Sequence, residues 1–187
     1  MARRTPPATA PDGEKVSSDS FPITFDTEKG RIFMQGLPVW FMSPQYYADM
    51  QVQLETLMGK ASRGILYRAA EHAGVRIATL LGPGIGPETD DMARVSLLLR
   101  VAEVMPSAGH GRMTFVVGDL KDADITWTLP YSYIAELSEK TSHPVCHFYA
   151  GYIGGIASVV FGRNVVCEEV ECRVMSAKAC VFKTRAT

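Results

Sequence analysis

Every cysteine of this chain lies in its last third, at positions 146, 167, 172 and 180. The stretch from His143 to Arg185 reads HPVCHFYAGYIGGIASVVFGRNVVCEEVECRVMSAKACVFKTR. Cys146 opens a glycine-rich apolar run. Cys167, Cys172 and Cys180 follow it, crowded by Glu168, Glu169 and Glu171. Thiols and carboxylates gathered in this way suit a metal site, a redox site or a set of buried free thiols. Any of the three ties the apolar run to whatever the last cysteines form.

The rest of the composition narrows the choice. A chain of 187 residues with 47 % hydrophobic and 21 % charged residues fits one domain, able to bury a core without staples. A formal net charge of -1 with scattered Lys and Arg argues against a nucleic-acid partner. The N-terminus shows two arginines with no apolar run behind them, and no stretch approaches a membrane span. The expectation is a cytoplasmic protein with no membrane partner. In that reducing setting clustered cysteines favour metal ligands or free thiols over disulfides.

Residues 1–20, rich in Pro, Ala, Ser and charge, read as a disordered tail, and residues 21–187 as a single domain, which the family resemblance described below implies is ligand-binding. Short strands are expected at Arg31–Met34 and Val39–Met42. Ser43-Pro44 starts a helix to Met58. A second helix runs from Ala61 to Ala73, with Gly74 as its stop and a short continuation over Val75–Leu81. The loop Gly82–Pro87 lacks the residues of a phosphate cradle. A third helix spans Glu88 to Met105. Strands Met113–Val117 and Ile125–Leu129 form a hairpin, with a short helix around Ile134–Leu137. Pro144–Phe161 has helical spacing, and its glycines imply close approach to a neighbour or room for a ligand. Asn164–Arg173 and Cys180–Arg185 form the last hairpin. The fold class is α+β, with N-terminal helices packed on an antiparallel sheet of ββαββ order and a C-terminal hairpin closed by a zinc brace.

The zinc reading begins from ligand types. Zinc takes four ligands from thiolate, imidazole and carboxylate. Cys172 and Cys180 can converge across the turn between them, and Cys146 at the helix start supplies a third. Strand parity leaves the fourth open. Cys167, Glu169 and Glu171 share one face of a regular strand, while Glu168 shares the other with Cys172. Glu169 joins Cys172 only if the strand bulges between them.

These residues also carry a family resemblance. Gly151, Tyr152, Gly155, Phe161, Gly162, Arg163, Glu169, Cys172, Cys180 and Phe182, with HPVC before them, resemble the 4-vinyl reductase domain family. That family includes sensor domains of phenol- and xylene-responsive transcription activators, small archaeal proteins and an accessory protein of bacteriochlorophyll synthesis. It is similar in fold to subunits of a vesicle-tethering complex and to haem-based nitric-oxide sensors. The resemblance implies a structural zinc on Cys146, Glu169, Cys172 and Cys180, with Cys167 a spare packed thiol. It also implies an apolar pocket for an aromatic or hydrophobic ligand, with Trp127 as a polar contact and Tyr152, Phe148 and His110 as further candidates. The histidine that partners the tryptophan in the phenol sensors has no counterpart in Leu97–Val104; His110 is the nearest.

Two functions follow as expectations. One is a small-molecule sensor or carrier that signals through a homodimer or a protein partner. The other is an accessory factor in tetrapyrrole synthesis, associated with vinyl reduction. No Ser-His-Asp set and no dinucleotide fingerprint supports an enzyme, so no catalytic residue is assigned. Other residues have plain readings. His143 and His147 suit a surface or a cap, His72 a helix surface, and Tyr46, Tyr47, Tyr149 and Tyr152 a core.

Overall fold

The structure is a computed structural model and describes residues 23–34 and 37–187. The tail expected over residues 1–20 lies outside the described residues, as does the turn at Gln35-Gly36. The chain divides into two compact units at Ser43/Pro44.

The first unit holds three strands, β1 (Ile23–Asp26), β2 (Arg31–Met34) and β3 (Leu37–Val39), paired antiparallel in that order. Gly30 takes a φ of 61° in the β1–β2 turn, and Asp26 Oδ1 accepts from the Lys29 N–H at 3.0 Å. Both are devices of a tight reversal. The sequence reading missed β1 and set β3 two residues late. Pro38 is tolerated there because β3 is an edge strand.

The second unit contains helices α1 (Pro44–Met58), α2 (Ala61–Leu81) and α3 (Asp91–Ser107), then strands β4 (Thr114–Asp119) and β5 (Asp124–Leu129). A one-turn helix α4 (Tyr133–Leu137) and a long helix α5 (His147–Phe161) precede β6 (Val165–Glu171) and β7 (Cys180–Ala186). The four strands form one antiparallel sheet in the order β4-β5-β7-β6. No helix among the described residues is long and apolar enough to cross a membrane.

Helix α5 is apolar on every side, which marks a helix buried on every side. It packs against β6 and β7 of the sheet, and α2 crosses it at backbone contact. A Cβ at Gly151 would overlap the carbonyl of Tyr67, and one at Gly155 the carbonyl of Glu71. The relation is mutual, since a Cβ at Gly74 would overlap the carbonyl of Tyr152. The glycines of α5 therefore serve helix–helix approach. Gly74, read as a helix stop, instead lies in the middle of a 21-residue helix. Its cost in helix propensity, about 1 kcal/mol, is offset by the packing it permits.

The two helices also finish the sheet. Tyr67 Oη accepts from the Cys167 N–H at 3.0 Å, and Ser158 Oγ bonds both the N–H and the carbonyl of Val165. The exposed edge of β6 is thus closed by side chains rather than left to pair with another chain. Trp127, Phe182, Ile125, Leu129, Ile153 and Ile156 form the centre of the core between sheet and helices.

Candidate metal centre and aromatic cluster

Three turns of backbone bring the donors together. Cys146 is the N-cap residue of α5, Cys172 follows β6 directly and caps a 3-10 turn at Arg173–Met175, and Cys180 begins β7. Ser176 closes that turn with φ 73°, which returns the chain sharply enough to face Cys180 toward Cys172. Glu169 reaches the same point because the β6–β7 register shifts between Glu169 and Glu171. Before the shift Val165, Cys167 and Glu169 point inward; after it Cys172 does. This is the irregularity that strand parity required for Glu169 and Cys172 to meet.

Ligand atoms of Cys146, Glu169, Cys172 and Cys180 all lie within 4.8 Å of one another, and all four residues are buried. The Sγ of Cys146 is 3.7 Å from that of Cys180, which is 3.9 Å from that of Cys172. Those gaps exceed a disulfide, and the cysteines are free. A tetrahedron with metal–sulfur bonds of about 2.3 Å has edges of about 3.8 Å, so the sulfurs already stand at the spacing of such a site.

The hydrogen bonds around the cluster leave one atom unused. Glu169 Oε2 accepts from the Cys146 N–H at 2.8 Å, whereas Oε1 is buried with no hydrogen-bond partner among the described residues. An orphan carboxylate oxygen beside three sulfurs costs free energy unless a proton or a cation meets it. Burial, followed by contact with Cys172, pushes the Glu169 carboxyl up to about 8. Hydrogen bonding to Cys172 and Cys180, then burial, raises the Cys146 thiol well above its ordinary value. Cys172 is held low by contacts from Cys146 and Cys180. Contact with Cys146 draws Cys180 down, but Cys172 and burial outweigh it and push it up to about 12. Burial and mutual contact thus oppose ionisation of Glu169, Cys146 and Cys180 and favour it at Cys172. The four residues could hold a metal ion.

Donors that do not ligate support the sulfurs. The backbone N–H of Val145 favours an ionised Cys172, and that of Arg173 an ionised Cys180. Ser132 Oγ caps α4 by accepting from the Ala135 N–H at 3.2 Å and lies 3.3 Å from Cys146 Sγ. These outer groups were invisible in the sequence reading. The serine could have been noticed only as a helix cap. Cys167 lies apart from the set; burial raises its thiol, which makes it unreactive.

The proposed pocket residues form a second group. His110 stacks on Phe148 with centroids 5.7 Å apart and leans on Tyr152 at 5.5 Å, while Phe148 and Tyr152 stack at 5.6 Å. Gly109 and Gly111, with φ of 78° and 87°, turn the loop that folds His110 back onto α5. Burial lowers the His110 imidazole, so it is neutral near pH 7. Trp127 is not in ring contact with these three among the described residues. It packs on Phe115 at 4.9 Å and faces Phe182 across the β5–β7 ladder. Phe182 meets Tyr149 at 6.3 Å, and Tyr149 meets His110 at 6.3 Å. Trp127 Nε1 is buried with no hydrogen-bond partner among the described residues.

Both groups sit beside α5, and the donor spacing with its register shift is the pattern to compare. Residues 132–186 match the V4R domain family. No curated protein matches the chain significantly. Among solved structures, the phenol-responsive sensory domain of the transcription activator PoxR, with phenol, is similar at a TM-score of 0.72 and 18 % identity, covering 88 % of this chain and 84 % of that one. A vinyl-4-reductase family protein from Methanocaldococcus jannaschii is similar at 0.54 and 18 %, covering 80 % and 84 %. A trafficking protein particle complex subunit 3 from Naegleria fowleri, covalently bound to palmitic acid, is similar at 0.51 and 14 %, covering 77 % and 95 %. At these identities the likeness is one of fold.

An open groove of about 1410 Å³ lies elsewhere, between α2 and the β6–β7 side of the sheet. Neither the four donors nor the aromatic cluster line it. Its walls mix Arg68 and Lys183 with Asp119 and Glu168, the character of a solvated surface.

Proposed function

We propose that the chain is a small-molecule-sensing module that takes an aromatic or otherwise apolar ligand and is braced by a structural zinc. The observation that carries the ligand half is Trp127 Nε1, a buried donor without an acceptor among the described residues, next to a shell of aromatic rings. A buried N–H is stable only with a partner, and a ligand oxygen supplies one. His110, neutral and stacked among Phe148 and Tyr152, offers apolar surface and one further polar atom. The ligand class that suits both is a flat apolar molecule with a single hydroxyl or carbonyl oxygen. The V4R match and the fold likeness to a phenol-responsive sensory domain support that reading.

The zinc half rests on the donor set. Three thiolates and one carboxylate carry formally four negative charges against the two of zinc. The N–H groups of Cys146, Val145 and Arg173 and the N-terminus of α5 face the excess. Zinc, with no redox chemistry of its own and four ligands filled by protein, would be a brace that holds α5 to the last hairpin. A cytoplasmic sensor of this kind passes its signal through a second copy or a partner protein.

The test is titration of the zinc-loaded chain with phenol-class compounds and with their hydrocarbon analogues, read by calorimetry. The oxygenated ligand should bind more tightly, and Trp127→Phe should erase about tenfold of that preference, the worth of one neutral hydrogen bond. Equal affinity for both classes in the unaltered chain would refute the role of Trp127.

A further inference from the structure

All four candidate ligands are buried, so an ion needs a way to reach them, and unsatisfied polar atoms mark one. Beyond Glu169 and Trp127, six of the buried polar atoms that have no partner among the described residues belong to α1 and to the segments around Cys146 and the start of α2: Tyr47 Oη, Gln51 Oε1, Glu55 Oε1, Arg63 Nε, His143 Nδ1 and His147 Nε2. Tyr47, Gln51 and Glu55 lie at four-residue spacing on one face of α1. Gln51 Nε2 donates to the Val145 carbonyl at 3.1 Å, which sets that face against the segment leading into Cys146. The Tyr47 ring meets Phe148 edge-on at 5.5 Å. Gln51 is only 4 % exposed, the one buried residue of the six, the others being half-buried.

The neighbours of these groups place them next to the cluster. Tyr47 lies near enough to Cys146, and His147 near enough to Arg63, His143 and Cys172, to feel their electrostatics. Burial so rich in unpaired donors and acceptors is stable only when water or an ion moves among them. Among the described residues only the inner four converge tightly enough to hold a metal. The outer groups are therefore too spread to store an ion, and the Arg63 guanidinium opposes a resting cation. They suit passage.

We propose that Glu55, His143, His147 and Gln51 form a hydrated access route through which the ion passes on its way to Cys146 and Cys172, exchanging its water shell for transient protein ligands. The route rests on the zinc reading above. It makes α1 the gate: the Gln51–Val145 bond ties the helix to the segment that carries the first cysteine. Zinc is then loaded and lost through a local path, without unfolding of the hairpin.

The experiment measures zinc uptake by the metal-stripped chain and zinc loss to a chromophoric chelator, by stopped flow, with bound zinc counted by mass spectrometry. Gln51→Leu with His147→Phe replaces the polar lining by apolar groups of similar size. The expected result is one zinc per chain with both rates slowed about tenfold, the factor that about 1.4 kcal/mol makes. Should that pair fail to fold, Glu55→Gln, at the half-buried outer end, reads the same quantity and should also slow both rates. A wild-type chain that takes up no zinc sinks the zinc reading and the route with it. One zinc per chain with rates unmoved by these variants, or wild-type loss that rises with urea in step with global unfolding, sinks the route alone.

Discussion

Replacing Glu169 by Gln separates a metal centre from a mere cluster of thiols, because the two cases predict opposite signs. Gln has the shape of Glu and keeps an oxygen for the Cys146 N–H, but it carries no charge. Consider first the chain without an ion. The Glu169 carboxyl titrates at about 8 in the fold against an ordinary value of 4.5. Folding therefore takes up a proton. The stability linked to this group is present in full below about pH 4.5 and is lost as pH rises toward about 8. At pH 7 that loss is about 3 kcal/mol, at about 1.4 kcal/mol per pH step. Glu169→Gln removes the burden, so the metal-free variant should be more stable than the parent. For a domain of this size about 3 kcal/mol raises the Tm by roughly 6–12 °C.

With zinc in place the sign reverses. The ion holds the carboxylate ionised, and Oε1, the atom with no hydrogen-bond partner among the described residues, becomes a ligand. An outer-shell partner is worth about 10–100-fold in metal affinity. A direct ligand should exceed the upper end, so Glu169→Gln should cost more than about 2.7 kcal/mol of binding. Because metal binding is coupled to folding, the loaded variant should melt below the loaded parent. The assay is thermal unfolding of parent and variant, each with one equivalent of zinc and with excess chelator, at pH 5.5 and pH 8. The reasoning predicts crossing curves: the variant melts higher in chelator, most at pH 8, and lower in zinc. A variant that melts higher in both conditions refutes the metal centre, and one that melts lower in both refutes the burial argument for Glu169.

Two further changes test the helix crossing and the sheet edge. Gly155→Ala should destabilise by about 1–3 kcal/mol through overpacking against the Glu71 carbonyl. Gly64→Ala, in α2 where a Cβ meets nothing within 4 Å, should stabilise by about 0.5–1 kcal/mol. Urea midpoints of the two variants should therefore move in opposite directions, and a shared direction would contradict the crossing. Tyr67→Phe removes the acceptor of the Cys167 N–H; it should cost about 1 kcal/mol and speed amide exchange at Cys167 above that at Val166.

What could be read in advance followed local chemistry. Pro44 after Ser43 set the start of α1, and apolar spacing carried it to Met58, as observed. The start of α3 was read three residues early; Asp90 supplies the cap, accepting from the Ala93 N–H at 2.8 Å. The break at Gly74 was wrong for a tertiary reason: a glycine that looks like a stop is indistinguishable by sequence from one that admits a neighbour's carbonyl. The donor set divides in the same way. Cys146, Cys172 and Cys180 were candidates by type and spacing, but the choice between Glu168 and Glu169 depended on a register shift that no local pattern announces. The stripe Tyr47, Gln51 and Glu55 was present in the sequence at four-residue spacing. Its meaning depended on what lay opposite, and only the Gln51–Val145 bond supplies that.

The position of α5 links the two groups, and the link can be measured. Cys146 caps its N-terminus, and Phe148, Tyr149 and Tyr152 occupy its first turns. A metal that fixes Cys146 therefore also fixes the rings that meet His110 and, through Phe182, Trp127. Removing the metal frees that end of the helix while the glycine crossing with α2 still holds its middle, at Gly151 and Gly155. Ordering the rings then falls to the ligand, which binds more weakly by the cost of that ordering. At about 0.5–1.5 kcal/mol for each immobilised side chain, three rings make about 1.5–4.5 kcal/mol. Linkage is reciprocal: whatever factor zinc contributes to ligand affinity, the ligand must contribute to zinc affinity. Competition with a chelator of known strength, with and without saturating ligand, gives one side of this equality. Calorimetry of the ligand, with and without zinc, gives the other. A ligand whose affinity ignores zinc would show that brace and pocket are independent, and the first turns of α5 would then be rigid without the metal.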